Sequence, residues 1–236
     1  MTTALIFHEE FDRHLMPPGH PEQVARLQAV HRALAQPAFD ALVRVPAPVA
    51  GEAEILRCHP RAYLERVKAL APTTGFAMLD ADTSMSPGTL GAALRAVGGN
   101  LAAVDMVLDG RATNAFVACR PPGHHAEEAR AMGFCLFGNI SVAAKYALDH
   151  HKLARVAVLD FDVHHGNGTQ DLLWSEPRAL FCSSHQMPLY PGSGAPGETG
   201  ASGNVVNRPL AAGSGGAQMR AAWDGVIFPA VEAFAP

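Results

Sequence analysis

Short apolar runs, spaced along the chain with helix-period stretches between them, constrain this protein more than any other feature. The runs fall at residues 4–7, 115–118, 156–159 and 180–182, and helical patterns lie at 22–34, 62–70, 90–108, 140–150 and 218–234. Strands this apolar must be covered on both faces, and the helices that connect them supply the cover. The expectation is an α/β fold with an open, mostly parallel sheet and helices on both faces. Pro21 and Glu22 give the first helix a proline and an acid in its opening turn, which is a start signal. With 236 residues and no internal repeat, we expect a single domain over 1–236.

Composition narrows the class. Apolar residues make up 48% of the chain and charged ones 17%, which is a globular balance and not a disordered one. The formal charge of -4 lacks the basic footprint that nucleic acid or an anionic membrane would require, so neither is expected as a partner. The first residues lack the charged and apolar regions of a signal peptide. No segment is expected to reach the ~20 apolar residues that cross a bilayer. Cys58, Cys119, Cys135 and Cys182 are scattered without metal-type spacing, so they are expected as reduced thiols in a cytoplasmic protein.

Chemistry concentrates where strands should end. Leu159 leads into Asp160-Phe161-Asp162-Val163-His164-His165-Gly166-Asn167-Gly168. If the strand continued, Asp160, Asp162 and His164 would share one face and emerge together at a glycine-rich loop. Carboxylates gathered there call for a cation, and Asp162 with His164 offers oxygen and nitrogen donors suited to zinc. The plain alternative is a solvated, capped strand end. After the run at 115–118 comes Arg120-Pro121-Pro122-Gly123-His124-His125, where two prolines and a glycine stiffen the turn that aims the tandem histidines. Histidines in that crevice suit acid–base work, and partly exposed loop histidines are the bland reading. Gly133-Phe134 and Tyr190, taken alone, read as a core aromatic and a turn residue, and Arg26 as a solvated helix face. Residues 72–87 and 188–216 are long Gly/Pro/Ser-rich stretches of the kind that more often carry function than not.

Together these segments resemble the zinc-dependent histone deacetylase family, which includes bacterial class II-like histone deacetylases and acetylpolyamine amidohydrolases. The carrying motifs are His20-Pro21-Glu22 with Arg26-Leu27, Arg120 to His125, Met132 to Cys135, Asp160 to Gly168, and Ser183-Ser184-His185 with Tyr190-Pro191-Gly192, all in the family's order. The resemblance implies an arginase/deacetylase-type fold and a metal-dependent amidohydrolase acting on an acetyl-lysine peptide or an acetylpolyamine. It makes Asp162 and His164 zinc ligands and His125 the general base. His124 becomes the electrostatic neighbour, backed by Asp160, and Asn167 orients His125. Gly133, Phe134 and Tyr190 flank the acyl-amine slot, Asp82 (with Asp80 nearly as good) is the rim aspartate, and Arg26 faces an inner cavity below the metal. Asp160, Ser183 and Ser184, with Asp162 and His164, match a monovalent-cation (K+) site formed largely by backbone carbonyls.

Two family segments do not occur here: the Gly-Phe-Asp that brings the third zinc ligand and the Gly-Gly-Tyr that brings the carbonyl-polarising tyrosine. The last helical pattern also ends at Ala235-Pro236 with no strand after it. We therefore expect a chain lacking the C-terminal part of its domain, which binds zinc weakly and deacetylates poorly, or serves only to bind ligand or partner. An arginase-like hydrolase with two manganese ions is the other enzyme reading. It needs Asp-x-His-x-Asp and Gly-Gly-Asp-His segments, which are absent.

Overall fold

The N-terminal apolar run forms strand β1 (Thr3–Phe7), whose three central residues are buried. The computed structural model describes all residues from Met1 to Pro236, in two compact units, Met1–Ala143 and Ala144–Pro236. In the first unit β1 lies between β2 (Val43–Pro46) and β5 (Asn114–Val117), parallel to both. Helix α1 (Val24–Leu34) starts two residues later than the sequence pattern suggests, because Gln23 stays extended at φ -144°. Short α2 (Glu52–Ile55) and α3 (Arg61–Leu70) follow, then the antiparallel pair β3 (Ala77–Met78) and β4 (Ser84–Met85).

Helix α4 (Thr89–Leu108) corrects one expectation, since its 20 residues are long and apolar enough by length and composition to cross a membrane. In the fold it is a core helix. Ala92, Ala96 and Met106 join Ala4, Leu5 and Ile6 in one buried cluster. Its small residues allow a very close approach: a Cβ on Gly98 would fall 2.1 Å from the Pro48 carbonyl, and one on Gly99 3.2 Å from the Ala47 Cβ. Larger side chains there would lever the helix off the sheet.

Helix α5 (Asn139–Asp149) contains the division between the units. In the second unit β6 (Val156–Asp160), β7 (Ala179–Gln186) and β8 (Val205–Leu210) form a parallel sheet in that order, with α6 (Asn167–Leu173) between β6 and β7. Central β7 is buried at seven of its eight residues. The expected C-terminal helix is present as α7 (Gly216–Ala222), a π-helical turn at Trp223–Ile227 and α8 (Phe228–Phe234). Ile227 packs on Leu180 and Cys182. The parallel sheets with intervening helices bear out the α/β expectation, and all four cysteines are free.

Candidate active site

In the first unit the chemistry begins just past β5. Ala118 continues the β5 pairing by donating to the Ile6 carbonyl, and two residues on Arg120 turns inward with 4% exposure. Its Nε and Nη2 donate to the two oxygens of buried Glu22 at 2.5 Å each, and Nη1 donates to the Phe11 carbonyl at 3.2 Å. His14 brings Nε2 within 3.4 Å of the same carboxylate while its Nδ1 meets Thr89 Oγ1 at 2.8 Å. Burial alone would raise the Glu22 pKa, but His14 and Arg120 more than offset it and hold the carboxyl at about 2.

That anchored strand end aims His124 and His125. The turn is gripped by the start of α5: Asn139 Nδ2 donates to the Pro121 carbonyl at 3.3 Å, and a Cβ on Gly123 would lie 2.7 Å from the Asn139 nitrogen. The two imidazoles lie 3.9 Å apart with their planes tilted by 43°, and His125 is 4% exposed. Gly133, at φ +54°, lies directly against His125, where a Cβ would sit 2.4 Å from the ring. The backing loop is tied down as well, because His59 Nε2 accepts the Gly138 N–H (2.9 Å) and the Tyr63 hydroxyl donates to the Leu136 carbonyl (2.6 Å).

Phe134 is half-buried and, unusually for a non-glycine residue, sits at φ +70°. Its N–H donates to Thr83 Oγ1, whose own hydrogen goes to Asp82 Oδ1, each at 3.0 Å. Its ring meets the His20 ring edge-on at 4.7 Å, and His20 Nε2 donates to the Asp82 carbonyl at 3.0 Å. Asp82 thus adjoins Phe134, whereas Asp80 accepts from Ala81 and from Arg130. Arg26 departs from the expectation. Its side chain is 64% exposed and only loosely paired with Glu22 at 3.8 Å, so it faces solvent and not an enclosed inner cavity.

The second unit shows how Asp160, Asp162 and His164 come together, and it is not by strand alternation. The strand stops at Asp160, whose Oδ1 accepts the Asp162 N–H at 3.0 Å; Asp162 Oδ1 then accepts the His164 N–H at 2.8 Å. Each carboxylate captures the amide two residues on, an Asx-type turn that competes with the sheet ladder. The result places Asp162 Oδ1 3.2 Å from His164 Nδ1, with the two side chains 50% and 39% exposed. The Tyr190 ring stands 6.1 Å from that of His164, close to perpendicular. Ser183 pairs with Asp160 across the sheet, and its hydroxyl meets His185 Nδ1 at 2.9 Å. Ser184, also buried, takes the Trp223 indole N–H at 2.9 Å. Asn167 is buried as the first residue of α6. No group of three or more His, Cys, Asp or Glu side chains is gathered to hold a metal ion.

Behind this edge lies a buried polar network. His165 contacts Ser193 Oγ through Nδ1 (2.8 Å) and Gln170 Oε1 through Nε2 (3.1 Å). Burial first, then neighbouring His185, pushes the His165 pKa down to about 4, so the ring is neutral. Burial lowers His185 as well. Glu198 goes the other way: burial would raise its carboxyl, but Gln170 and the amides of Ala195 and Gly194 hold it below the usual carboxylate range.

A family model described as the histone deacetylase domain matches residues 20–236, across both units. The chain belongs to the histone deacetylase family. It is 46% identical over 230 residues to an uncharacterised protein of Synechocystis sp., covering 96% of this chain and 75% of that relative. It is 43% identical over 194 residues to the histone deacetylase-like amidohydrolase of Pseudomonas aeruginosa, covering 80% of this chain but 51% of that protein. Its structure matches the crystal structure of the HDA15 HD domain with a TM-score of 0.92 at 31% identity, over 100% of this chain and 70% of the other. The chain therefore spans between about half and three quarters of the length of these deacetylase-family relatives.

Several parts of this deacetylase-family fold escape sequence reading. Glu22 and Arg120 stand 98 positions apart, so nothing local announces their pairing. Thr83 and His20, which hold Phe134 and Asp82, carry no signal beyond their motifs. Glu198 lies in the Gly/Pro-rich stretch at 188–216, whose length was its only clue.

Proposed function

We propose that this chain is a zinc-dependent deacetylase acting on an acyl-lysine peptide or an acylpolyamine in a reducing, cytoplasmic setting, with its two units serving one catalytic domain. The observation that carries the reading is the Asp162–His164 pair. Two donors ~2.0–2.1 Å from a tetrahedral zinc lie roughly 3.3 Å from each other; Asp162 Oδ1 and His164 Nδ1 are 3.2 Å apart. Donor types and spacing fit, although the pair alone is one ligand short of a catalytic zinc site. When bound, zinc polarises the amide carbonyl and makes its water acidic.

The protein's own groups do the rest. His125 takes the water's proton on its imidazole, which the tilted contact with His124 and the close approach of Gly133 keep in one orientation, and later delivers it to the leaving amine. Asp160 and Asn167 serve as supporting groups. Phe134 and Tyr190 offer aromatic faces to the uncharged stem of the acylated amine, and the cationic amine released fits such faces less well once water must be stripped from it. Asp82, held by Thr83 and His20, is the rim acceptor for substrate backbone amides. Asp160, Ser183 and Ser184 form part of a K+ site that stiffens the strand ends.

The test pairs zinc uptake with turnover of an acetyl-lysine peptide. Asp162→Asn should lose zinc, whereas His125→Ala should keep zinc and lose ~10²–10⁴-fold in turnover. Unchanged turnover in either variant would refute the assignment.

A further inference from the structure

We infer that Glu198 is the positioning residue for Tyr190, clamping the loop that carries this ring to the helix behind it. The inference rests on the deacetylase reading, in which Tyr190 meets the acyl-amine stem. The Glu198 carboxylate accepts the Gly194 N–H on both oxygens (3.1 and 3.0 Å), the Ala195 N–H at 3.0 Å and Gln170 Nε2 at 2.6 Å. With Nε2 turned to Glu198, Gln170 must present Oε1 on its other side as an acceptor. There it receives Asn207 Nδ2 (2.7 Å) and meets His165 Nε2 (3.1 Å), and His165 Nδ1 meets Ser193 Oγ at 2.8 Å. Residues 193, 194 and 195 are thus fixed by one carboxylate, two of them directly and one through Gln170 and His165.

The geometry leaves Tyr190 little latitude. The Gly194 carbonyl faces His185 Nε2 at 3.1 Å, and a Cβ on Gly194 would lie 2.4 Å from that nitrogen, so this post does not shift without displacing a buried histidine. At the other end Met187 donates to the Leu210 carbonyl at 2.9 Å, extending the β7–β8 ladder. Five residues, 188–192, span the gap between these two posts with Tyr190 at their centre. Releasing the downstream post frees the span, and the ring loses its set distance from His164.

Glu198→Gln preserves shape and, on its one remaining oxygen, the Gly194 and Ala195 contacts, but sets two amide NH2 groups face to face at Gln170. The double variant Glu198→Gln with Gln170→Glu restores a donor opposite an acceptor, and the carboxylate at 170 still accepts from His165 and Asn207. Two readouts apply to the whole zinc-loaded protein: amide hydrogen exchange at 193–195, and KM and kcat for an acetyl-lysine peptide. The single variant should speed exchange by about tenfold or more, the loss of one charge-assisted hydrogen bond. It should raise KM by about five- to tenfold with kcat within about twofold, and the double variant should restore both. Faster exchange with unchanged KM, equal losses in KM and kcat, or a double variant no better than the single one would each overturn the inference. A wild-type protein that neither binds nor turns over the peptide would instead remove the deacetylase reading, and the exchange rescue would still decide whether the clamp exists.

Discussion

The two units treat their signature charges in opposite ways. In the first, Glu22 and Arg120 are sealed from water, joined by two parallel hydrogen bonds and completed by His14 and the Phe11 carbonyl. In the second, Asp162 and His164 stand about half exposed and hold each other through turns built from their own backbone. The first pair shapes the strand end that aims His125, so its charge has a purely internal audience. The second presents donor atoms outward, where a ligand can reach them. The sealed pair and the exposed pair thus lie in separate parts of the chain.

That contrast is open to direct attack, and the largest effect should come from Arg120→Ala. Breaking a buried ion pair by removing one partner strands the other charge, with a typical loss of ~3–5 kcal/mol. A chemical denaturation midpoint that moves by the equivalent of under ~1 kcal/mol would show that the pair does not organise this unit. Acid should give the next largest effect. Glu22 is held at about 2 against an ordinary value of 4.5, so its contribution is fully present above pH 4.5 and lost as pH falls from there towards 2. The span corresponds to roughly 3 kcal/mol, and Glu22→Gln, though less stable at neutral pH, should flatten the stability profile across that window. The smallest effect belongs to the second unit. Asp162→Asn should shift stability by no more than ~1 kcal/mol, because an exposed pair contributes little. A larger loss would erase the distinction between the two pairs.

How much of this was legible in the sequence follows the same physics. Strands β1, β5, β6 and β7 announced themselves by uninterrupted apolar runs, which burial explains for β1 and central β7 but not for β5, whose Phe116 is 50% exposed. Strands β2 and β8 did not. Both lie at sheet edges and carry a proline, Pro46 and Pro209, which an edge tolerates because one row of N–H groups has no partner to serve. Helix α4 was placed well by its period, but the expectation that no segment is long and apolar enough to cross a membrane failed on it, because the small residues that lengthen its apolar run serve close packing in the fold. At the site, the residue types pointed to the correct neighbours through the wrong geometry: Asp162 and His164 meet by capturing backbone amides after the strand has ended. The Glu22–Arg120 and Glu198–Gln170 partnerships link segments remote in sequence, and no local pattern records such a choice.

Gly133 and Phe134 follow each other in the left-handed region, one because it has no side chain and the other against the preference of its own Cβ. That pairing turns the bare glycine onto the His125 imidazole and swings the neighbouring benzyl group the other way, towards His20. The Thr83 hydroxyl is the latch that keeps the second torsion in place. A stored twist of this kind ties the two faces of one dipeptide together, so a displacement of the ring on the phenylalanine side is transmitted straight to the His125 imidazole on the other.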